Sequence, residues 1–218
     1  MTGIAIYVEG GGETRDLQVG MRQGFDGLLR KQKEAARLKR MTWKVVPEGG
    51  REQTYRAFCN AVHKSPENIN VLLVDAEEPL HLGAVDPDST VEARARVEHL
   101  RRRDGWDFNA VEPTRIHLMI RAMEAWIVAD PEALRGYYGQ GFNPAQLPAR
   151  QNLEEEPKAS LFGALTKATR NARSKGEYAK RRHAADLLPS LDTNKVARRC
   201  PRFGIFTAWL DQVIAGAS

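Results

Sequence analysis

Residues 3–13 are G-I-A-I-Y-V-E-G-G-G-E. The first six form an almost unbroken apolar run, which predicts a strand buried inside a sheet. Glu9 and three glycines follow, and a helical pattern of apolar residues begins at Glu13. A strand, a glycine turn and a helix in this order predict the opening βα unit of an α/β fold.

The first half of the chain continues this alternation. Residues 42–46 and 70–74 have strand patterns, whereas residues 13–38 and 51–63 have helical ones. The run N-V-L-L-V at 70–74 is apolar almost throughout, which indicates burial on both faces. We therefore expect a mostly parallel central sheet of about four strands flanked by helices.

The chain is less regular beyond this point. Pro79, Pro87 and Asp88 predict a loop, and a charged helical pattern follows over residues 91–103. Residues 115–120 are either a fourth strand or the start of a helix that continues to Asp130, because periodicity does not separate the two.

The last third has a helical pattern. We predict helices over residues 131–138, 158–170, 176–188 and 203–214, with residues 139–157 as the least regular stretch. The patterns divide the chain into an α/β core over residues 1–120 and a helical C-terminal part over residues 121–218 that packs on the core.

Composition restricts the class of protein. Cys59 and Cys200 are the only cysteines, which argues against a disulfide framework and a zinc site. The start of the chain has no signal-peptide pattern and there is no apolar run of membrane-spanning length, so we expect a cytoplasmic protein that does not bind a membrane.

Positive charge is concentrated at the C-terminal end. Residues 1–149 hold 20 Lys and Arg against 21 Asp and Glu, whereas residues 150–218 hold 13 against 7. This distribution is typical of proteins that bind a polyanion, although basic residues also cover ordinary solvated helix faces.

The glycine turn after the first strand is a candidate phosphate site. Gly10, Gly11 and Gly12 permit positive φ and close approach of the backbone to a phosphate, and the helix that follows begins near Arg15. Glu9 stands at the carboxyl end of the strand, where parallel sheets bind ligands. A purely structural strand-to-helix turn is the alternative.

Acidic residues follow the third strand in V-D-A-E-E-P at 74–79. In an extended chain Asp75 and Glu77 lie on one side, at the same sheet edge as Glu9. Carboxylates brought this close repel each other unless a cation joins them, and Mg²⁺ (or Mn²⁺) prefers such oxygen ligands. A polar strand end without a metal is the alternative.

A strand ending in Glu and glycines, followed by a strand ending in D-x-D or a near variant, resembles the TOPRIM catalytic core of topoisomerases, primases and OLD-family nucleases. The resemblance implies a TOPRIM-like (Rossmann-like) fold, with Glu9 as acid/base and Asp75 and Glu77 as the metal-binding pair. Glu77 stands where the usual pattern has Asp. The chain lacks the length for the strand-passage domain of a topoisomerase.

The chain is also similar to uncharacterised bacterial TOPRIM-like proteins related to the RloB group, which are often found in anti-phage defence loci beside an ABC- or AAA-type ATPase. The similarity rests on residues 8–13, 73–77, 117–130 and 178–183. It implies that Glu124, in M-E-A-W, completes the acidic cluster. A buried ion pair of Glu124 with Arg115 or Arg121 is the alternative.

The last group of candidate residues lies in Y-A-K-R-R-H at 178–183. On a helix Lys180 and His183 face one site, where Lys180 could stabilise charge on a phosphate. His183 could relay protons or be purely structural. Lys175, Arg181 and Arg182 are candidates for binding nucleic-acid phosphates.

These observations predict a divalent-metal-dependent nuclease acting on DNA or RNA, with Glu9, Asp75, Glu77 and Lys180 as catalytic residues. We expect its activity to be restrained by homo-oligomerisation or by an ATPase encoded nearby. The alternative is a non-catalytic adaptor that binds a metal or a nucleotide and docks on that ATPase. A primase-like enzyme would need a further nucleotide-binding segment, which the sequence does not show.

Overall fold

The computed structural model describes residues 2–78 and 90–217. Its centre is a sheet of four parallel strands in the order β2-β1-β3-β4. The strands are β1 Gly3–Val8, β2 Thr42–Pro47, β3 Ile69–Asp75 and β4 Ile116–Met119. The predicted α/β class, with a parallel four-stranded sheet flanked by helices and a helical C-terminal stretch, is confirmed.

Helices connect the strands and make up the C-terminal stretch. In the first part they are α1 Arg15–Leu28, α2 Arg30–Leu38, α3 Arg51–Lys64 and α4 Thr90–Asp104. After β4 follow α5 Glu124–Val128, α6 Pro131–Tyr138, α7 Lys158–Thr169, α8 Lys180–Leu187, α9 Thr193–Arg199 and α10 Pro201–Gly216. Within the described ranges, none of these helices has both the length and the apolar character required to span a bilayer.

The two faces of the sheet pack into different apolar clusters. On β3, Val71 and Leu73 join the larger cluster with the C-terminal helices, whereas Leu72 and Val74 join the smaller one with Phe58 of α3. This alternation follows from the two-residue period of a strand. It also directs the side chain of the next odd-numbered residue, Asp75, toward the C-terminal helices.

Several helix boundaries differ from the predicted ones. The helix predicted over residues 13–38 is interrupted at Leu29. Gly24 and Gly27, both weak helix formers, precede the break. A Cβ on Gly27 would lie 2.3 Å from the Cβ of Pro189, so packing of the C-terminal stretch requires glycine there.

In the ambiguous region around residue 120 the strand alternative is correct, and no continuous helix runs from there to Asp130. Strand β4 ends at Met119, and the separate short helix α5 begins at Glu124. Asp130 then caps α6, since its carboxylate accepts hydrogen bonds from the backbone N–H groups of Glu132 and Ala133.

Other parts of the prediction were incomplete or lie outside the described residues. Helix α9 was not predicted, and residues 139–157 contain two 3-10 turns, Pro144–Gln146 and Leu153–Glu155. The predicted loop residues Pro79, Pro87 and Asp88 fall in residues 79–89, outside the described part of the chain.

Candidate functional site

Three acidic side chains from two neighbouring strands meet at the carboxyl edge of the sheet. Glu9 follows β1, Asp75 is the last residue of β3, and Glu77 lies two positions beyond it. One carboxylate oxygen from each residue lies within 4.8 Å of the other two. The structure therefore brings together the three acids that the sequence placed at one edge.

The Glu9 carboxylate is held by two donors. Its Oε2 accepts a hydrogen bond of 3.1 Å from the backbone N–H of Asp75 and one of 3.0 Å from Nη1 of Arg51. Burial raises the pKa of Glu9 above its ordinary value and the Asp75 carboxylate raises it further, while Arg51 opposes both effects. Glu9 consequently binds a proton more readily than an exposed glutamate does.

Asp75 is fixed at the floor of the site, with a side chain only 4% exposed. Its Oδ1 accepts a 3.0 Å hydrogen bond from the backbone N–H of Met123. Its Oδ2 lies 3.4 Å from Nζ of Lys180 and 3.6 Å from Nζ of Lys158. The same Lys158 lies 2.5 Å from Oε1 of Glu77. Lysines from α7 and α8 thus occupy positions beside the acids that a cation could also take.

The backbone around Glu77 adopts an uncommon conformation. Glu77 and Arg121 both have positive φ, 64° and 65°, and the Glu77 N–H donates to the Arg121 carbonyl at 3.2 Å. Left-handed non-glycine residues cost about 1–3 kcal/mol each and concentrate at functional sites. Between the two acids, the Ala76 carbonyl accepts a 2.9 Å hydrogen bond from Nε2 of the buried His99. The turn that presents Asp75 and Glu77 is therefore fixed on both sides.

Glu124 lies next to the three acids but outside their group. It is 2% exposed, and its two oxygens lie 3.3 Å from Nζ of Lys180 and 3.3 Å from the hydroxyl of Tyr178. The ion pair of Glu124 is therefore with a lysine of α8, and neither Arg115 nor Arg121 supplies it.

Lys180 bridges Glu124 and Asp75. Burial alone would lower the pKa of Lys180, but Asp75 and Glu124 raise it above its ordinary value, so the bridge is charged.

The glycine turn has the backbone that the sequence predicted. Gly10, Gly11 and Gly12 have φ of 127°, 86° and 63°, a region that glycine enters without steric cost. Gly10 also pairs with Gly49, and a Cβ on Gly49 would lie 2.4 Å from the Gly12 carbonyl oxygen. The turn is thus packed closely against the end of β2.

A cavity of about 800 Å³ joins the acids to the basic C-terminal helices. Its lining includes Glu9, Asp75 and the glycine turn, along with Glu13 and Asp16. It also includes a basic wall, which we define as Lys175, Lys180, Arg181, Arg182 and His183. Most of the predicted site residues therefore face one space. Arg15 is exposed and does not line it, and neither Glu77 nor Glu124 belongs to its lining.

The basic wall contains cations without acidic partners. Lys175, Arg181 and Arg182 form no ion pair with any residue in the described ranges, and the Nζ of Lys175 lies 4.8 Å from the ring centroid of Tyr137. These cations are available to a bound anion.

His183 is the buried member of this wall. Its Nδ1 lies 3.2 Å from the backbone N–H of Ala179, which donates to it, and 2.9 Å from the hydroxyl of Tyr138. Burial lowers the pKa of His183 and Arg182 lowers it further, against the effect of Asp186. The ring is therefore neutral at pH 7, with its proton assigned to Nε2.

Several contributing residues were not identified from the sequence. Arg51 follows β2 in G-G-R at 49–51, so the strand-end rule that selected Glu9 could have found it. Lys158 lies 81 residues from Glu77, and His99 and Tyr137 stand in ordinary helical patterns. Only tertiary contacts reveal these three.

The donor set fits a hard divalent cation, since it offers several carboxylate oxygens and no sulfur or imidazole ligand. The cluster differs from the expected one in its charge balance. Arg51, Lys158 and Lys180 each lie within ion-pair distance of one or two of its acids. Repulsion among the acids is therefore already reduced by protein cations, and a metal would have to displace Lys158 from Asp75 and Glu77.

Comparison with known proteins gives one result. No curated protein and no solved structure is significantly similar to this chain. The sequence pattern of the family described as Domain of unknown function (DUF4276) matches residues 8–211, a range that contains every residue of the site described above. The chain belongs to the family Domain of unknown function (DUF4276).

Proposed function

We propose that this protein is a divalent-metal-dependent nuclease that hydrolyses phosphodiester bonds of DNA or RNA. One observation carries the proposal: Glu9 and Asp75, two of the three clustered acids, line a single cavity together with the basic wall. Such a site can hold a phosphate between positively charged side chains and metal-binding carboxylates. The resemblance to TOPRIM nucleases agrees with this arrangement.

The acids would hold Mg²⁺ or Mn²⁺. Asp75 and Glu77 present adjacent oxygens, and Glu9 supplies a third. When bound, the ion would reduce the charge on the scissile phosphate and favour deprotonation of water. Glu124 would act through Lys180, which it holds in place.

Glu9 is suited to proton transfer if it does not bind the ion. Its pKa is raised by burial and by Asp75, and a general base works best when its pKa approaches the working pH. Its two hydrogen-bond donors fix the orientation of the carboxylate. Lys180 would stabilise negative charge that develops on the phosphate.

The substrate's flanking phosphates would contact the basic wall and the glycine turn. Lys175, Arg181 and Arg182 have no acidic partners within the described residues, so phosphates do not have to break ion pairs to reach them. Backbone N–H groups of the glycine turn could add neutral donors. Contacts of this kind select a phosphate backbone and not a base sequence.

A nuclease without restraint would harm its own cell. We therefore propose that the protein works in the cytoplasm as the effector of an anti-phage defence system, held inactive by homo-oligomerisation or by a partner ATPase. Co-purification of the chain with the products of neighbouring genes would support this role. A fully active free monomer would argue against it.

The non-catalytic alternative is favoured by the charge balance of the site. Because Arg51, Lys158 and Lys180 compensate the acids, the pocket could bind an anionic ligand without any metal. In that case the protein would bind nucleic acid or a nucleotide equally well with and without Mg²⁺, and would cleave neither.

A cleavage assay separates the two functions. Labelled DNA and RNA are incubated with the purified protein, with and without Mg²⁺ or Mn²⁺, beside Glu9→Gln and Asp75→Asn. Glu34→Gln, which changes an exposed acid of α2, serves as the matched control. Metal-dependent cleavage that is lost in the two site variants and kept in the control supports the nuclease. Cleavage that survives in either site variant would reject this site.

A further inference from the structure

The acids are recessed, and this restricts which phosphodiester can reach them. The side chains of Asp75 and Glu9 are only 4% and 18% exposed, and both line the cavity. A scissile phosphate must therefore enter the cavity to reach them. A phosphate on the surface of an intact duplex is held beside its neighbours by paired and stacked bases and cannot enter alone.

The cavity has the size of a pocket that encloses a small ligand. Its volume of about 800 Å³ falls within the roughly 300–1,000 Å³ range of pockets that enclose small ligands. Enzymes that do chemistry on a base inside such a pocket take a single strand or turn one nucleotide out of the helix. The same geometric limit applies to a phosphate that has to enter the pocket.

An aromatic ring lines the cavity beside the basic wall, in a position to contact a base. Tyr137 is half-buried, lines the cavity, and donates its hydroxyl hydrogen to Asp186 at 2.9 Å. The hydrogen bond fixes the orientation of the ring, and the Nζ of Lys175 lies over it. Lys175 has no acidic partner in the described ranges, so it can leave the ring for a phosphate. Aromatic rings beside free cations are the combination by which proteins bind single strands.

We infer that the site takes an unpaired nucleotide of a single-stranded or locally melted nucleic acid, whose base stacks on Tyr137 while its phosphates contact Lys175 and Arg181. This inference rests on the proposed function, because it names the substrate class of the same site. None of these contacts involves the sugar, so single-stranded DNA and RNA share the required chemistry.

Binding in EDTA tests the inference separately from catalysis. Fluorescence anisotropy is measured for labelled oligo-dT, oligo-U and a blunt duplex of equal length. We expect at least one single strand to bind about tenfold more tightly than the duplex, and Tyr137→Leu to remove most of that preference. Tyr137→Phe should keep it, because phenylalanine retains the stacking face and loses only the hydrogen bond to Asp186.

Further variants keep the test decisive if Tyr137→Leu does not fold. Tyr137→Trp should keep or increase the preference for single strands over the duplex, since indole offers a larger stacking surface. Lys175→Ala should weaken binding of the strands several-fold, whereas Arg173→Ala, an exposed cation that does not line the cavity, should not. Equal binding of duplex and single strands, or a preference unchanged in every Tyr137 variant, would overturn the inference.

The outcomes also separate this inference from the proposed hydrolysis. If single strands are preferred through Tyr137 but no metal supports cleavage, the inference stands and the nuclease proposal fails. If duplex and single strand are cleaved at equal rates in Mg²⁺, the nuclease proposal stands and the inference fails.

Discussion

The carboxylate of Glu9 accepts a 3.1 Å hydrogen bond from the backbone N–H of Asp75, although the two residues stand 66 positions apart in the chain. The bond joins the carboxyl ends of β1 and β3, which are adjacent and parallel. It keeps two like-charged side chains close together at the floor of the cavity.

Lys158 competes with a metal for Asp75 and Glu77. We expect Lys158→Met to increase the affinity for Mn²⁺ about tenfold, roughly 1.4 kcal/mol, because the ion no longer has to displace an ammonium group. Calorimetric titration measures the change. Lys167→Met, an exposed lysine on the same helix, is the control. Equal affinities for all three proteins would show that Lys158 does not occupy the metal position.

Lys180 compensates the buried charges of Asp75 and Glu124. Lys180→Met should lower the free energy of unfolding by about 1–3 kcal/mol. Breaking a fully buried ion pair costs more, but the Lys180 side chain is 37% exposed, so solvent screens its two ion pairs. Urea unfolding at neutral pH measures it. Arg181→Met, the exposed neighbour, should have little effect, and an equal loss in both variants would argue against the bridging role.

His99 holds the turn between Asp75 and Glu77 through the Ala76 carbonyl. His99→Leu removes one of the two donors to this buried carbonyl, which keeps a 2.7 Å hydrogen bond from the backbone N–H of Glu78, so we expect a loss of about 0.5–1.5 kcal/mol in stability. The folded variant should also bind Mn²⁺ more weakly, because the two acids lose their fixed spacing. His63→Leu, an exposed histidine, controls for removal of an imidazole. Unchanged metal affinity in folded His99→Leu would limit His99 to a structural role.

His117 makes stability depend on pH. It is buried between Phe206 and Trp209, its Nε2 has no hydrogen-bond partner among the described residues, and burial followed by Arg96 lowers its pKa well below 6.5. The unfolded chain binds a proton near pH 6.5 and the folded one does not. The contribution of His117 to the free energy of unfolding is therefore fully present above pH 6.5. Below that pH the free energy of unfolding falls by up to about 1.4 kcal/mol per pH unit.

Urea unfolding at several pH values, with His117→Leu for comparison, tests this prediction. The variant should lose the part of the pH dependence that His117 contributes. The same slope below pH 6.5 in both proteins would mean that other groups cause it.

The sheet and its acids could be predicted because they depend on local pattern and one rule of topology. Apolar runs defined β1 and β3, and the carboxyl ends of parallel strands meet at one edge. Glu9, Asp75 and Glu77 follow directly from these two facts. Their proximity required no knowledge of the helices.

The cations around the acids could not be predicted in the same way. Lys158 reaches the site only because α7 packs across the end of the sheet, and no sequence spacing encodes that packing. Lys180 was predicted as a site residue, but its ion pairs with Asp75 and Glu124 depend on the packing of α8. Sequence reasoning therefore overestimated the repulsion that a metal would need to relieve. Arg51 is the exception, because it follows a strand and could have been found by the same rule as Glu9.

Titration of Mn²⁺ into the metal-free protein, followed by the electron paramagnetic resonance signal of the unbound ion, tests the central claim most directly. We predict a saturable site from which Mg²⁺ displaces Mn²⁺, an affinity at least about tenfold lower in folded Asp75→Asn, and no change in Glu34→Gln. If the wild-type protein binds no Mn²⁺, or if Asp75→Asn binds it as tightly as the wild type, the three acids do not form a metal site.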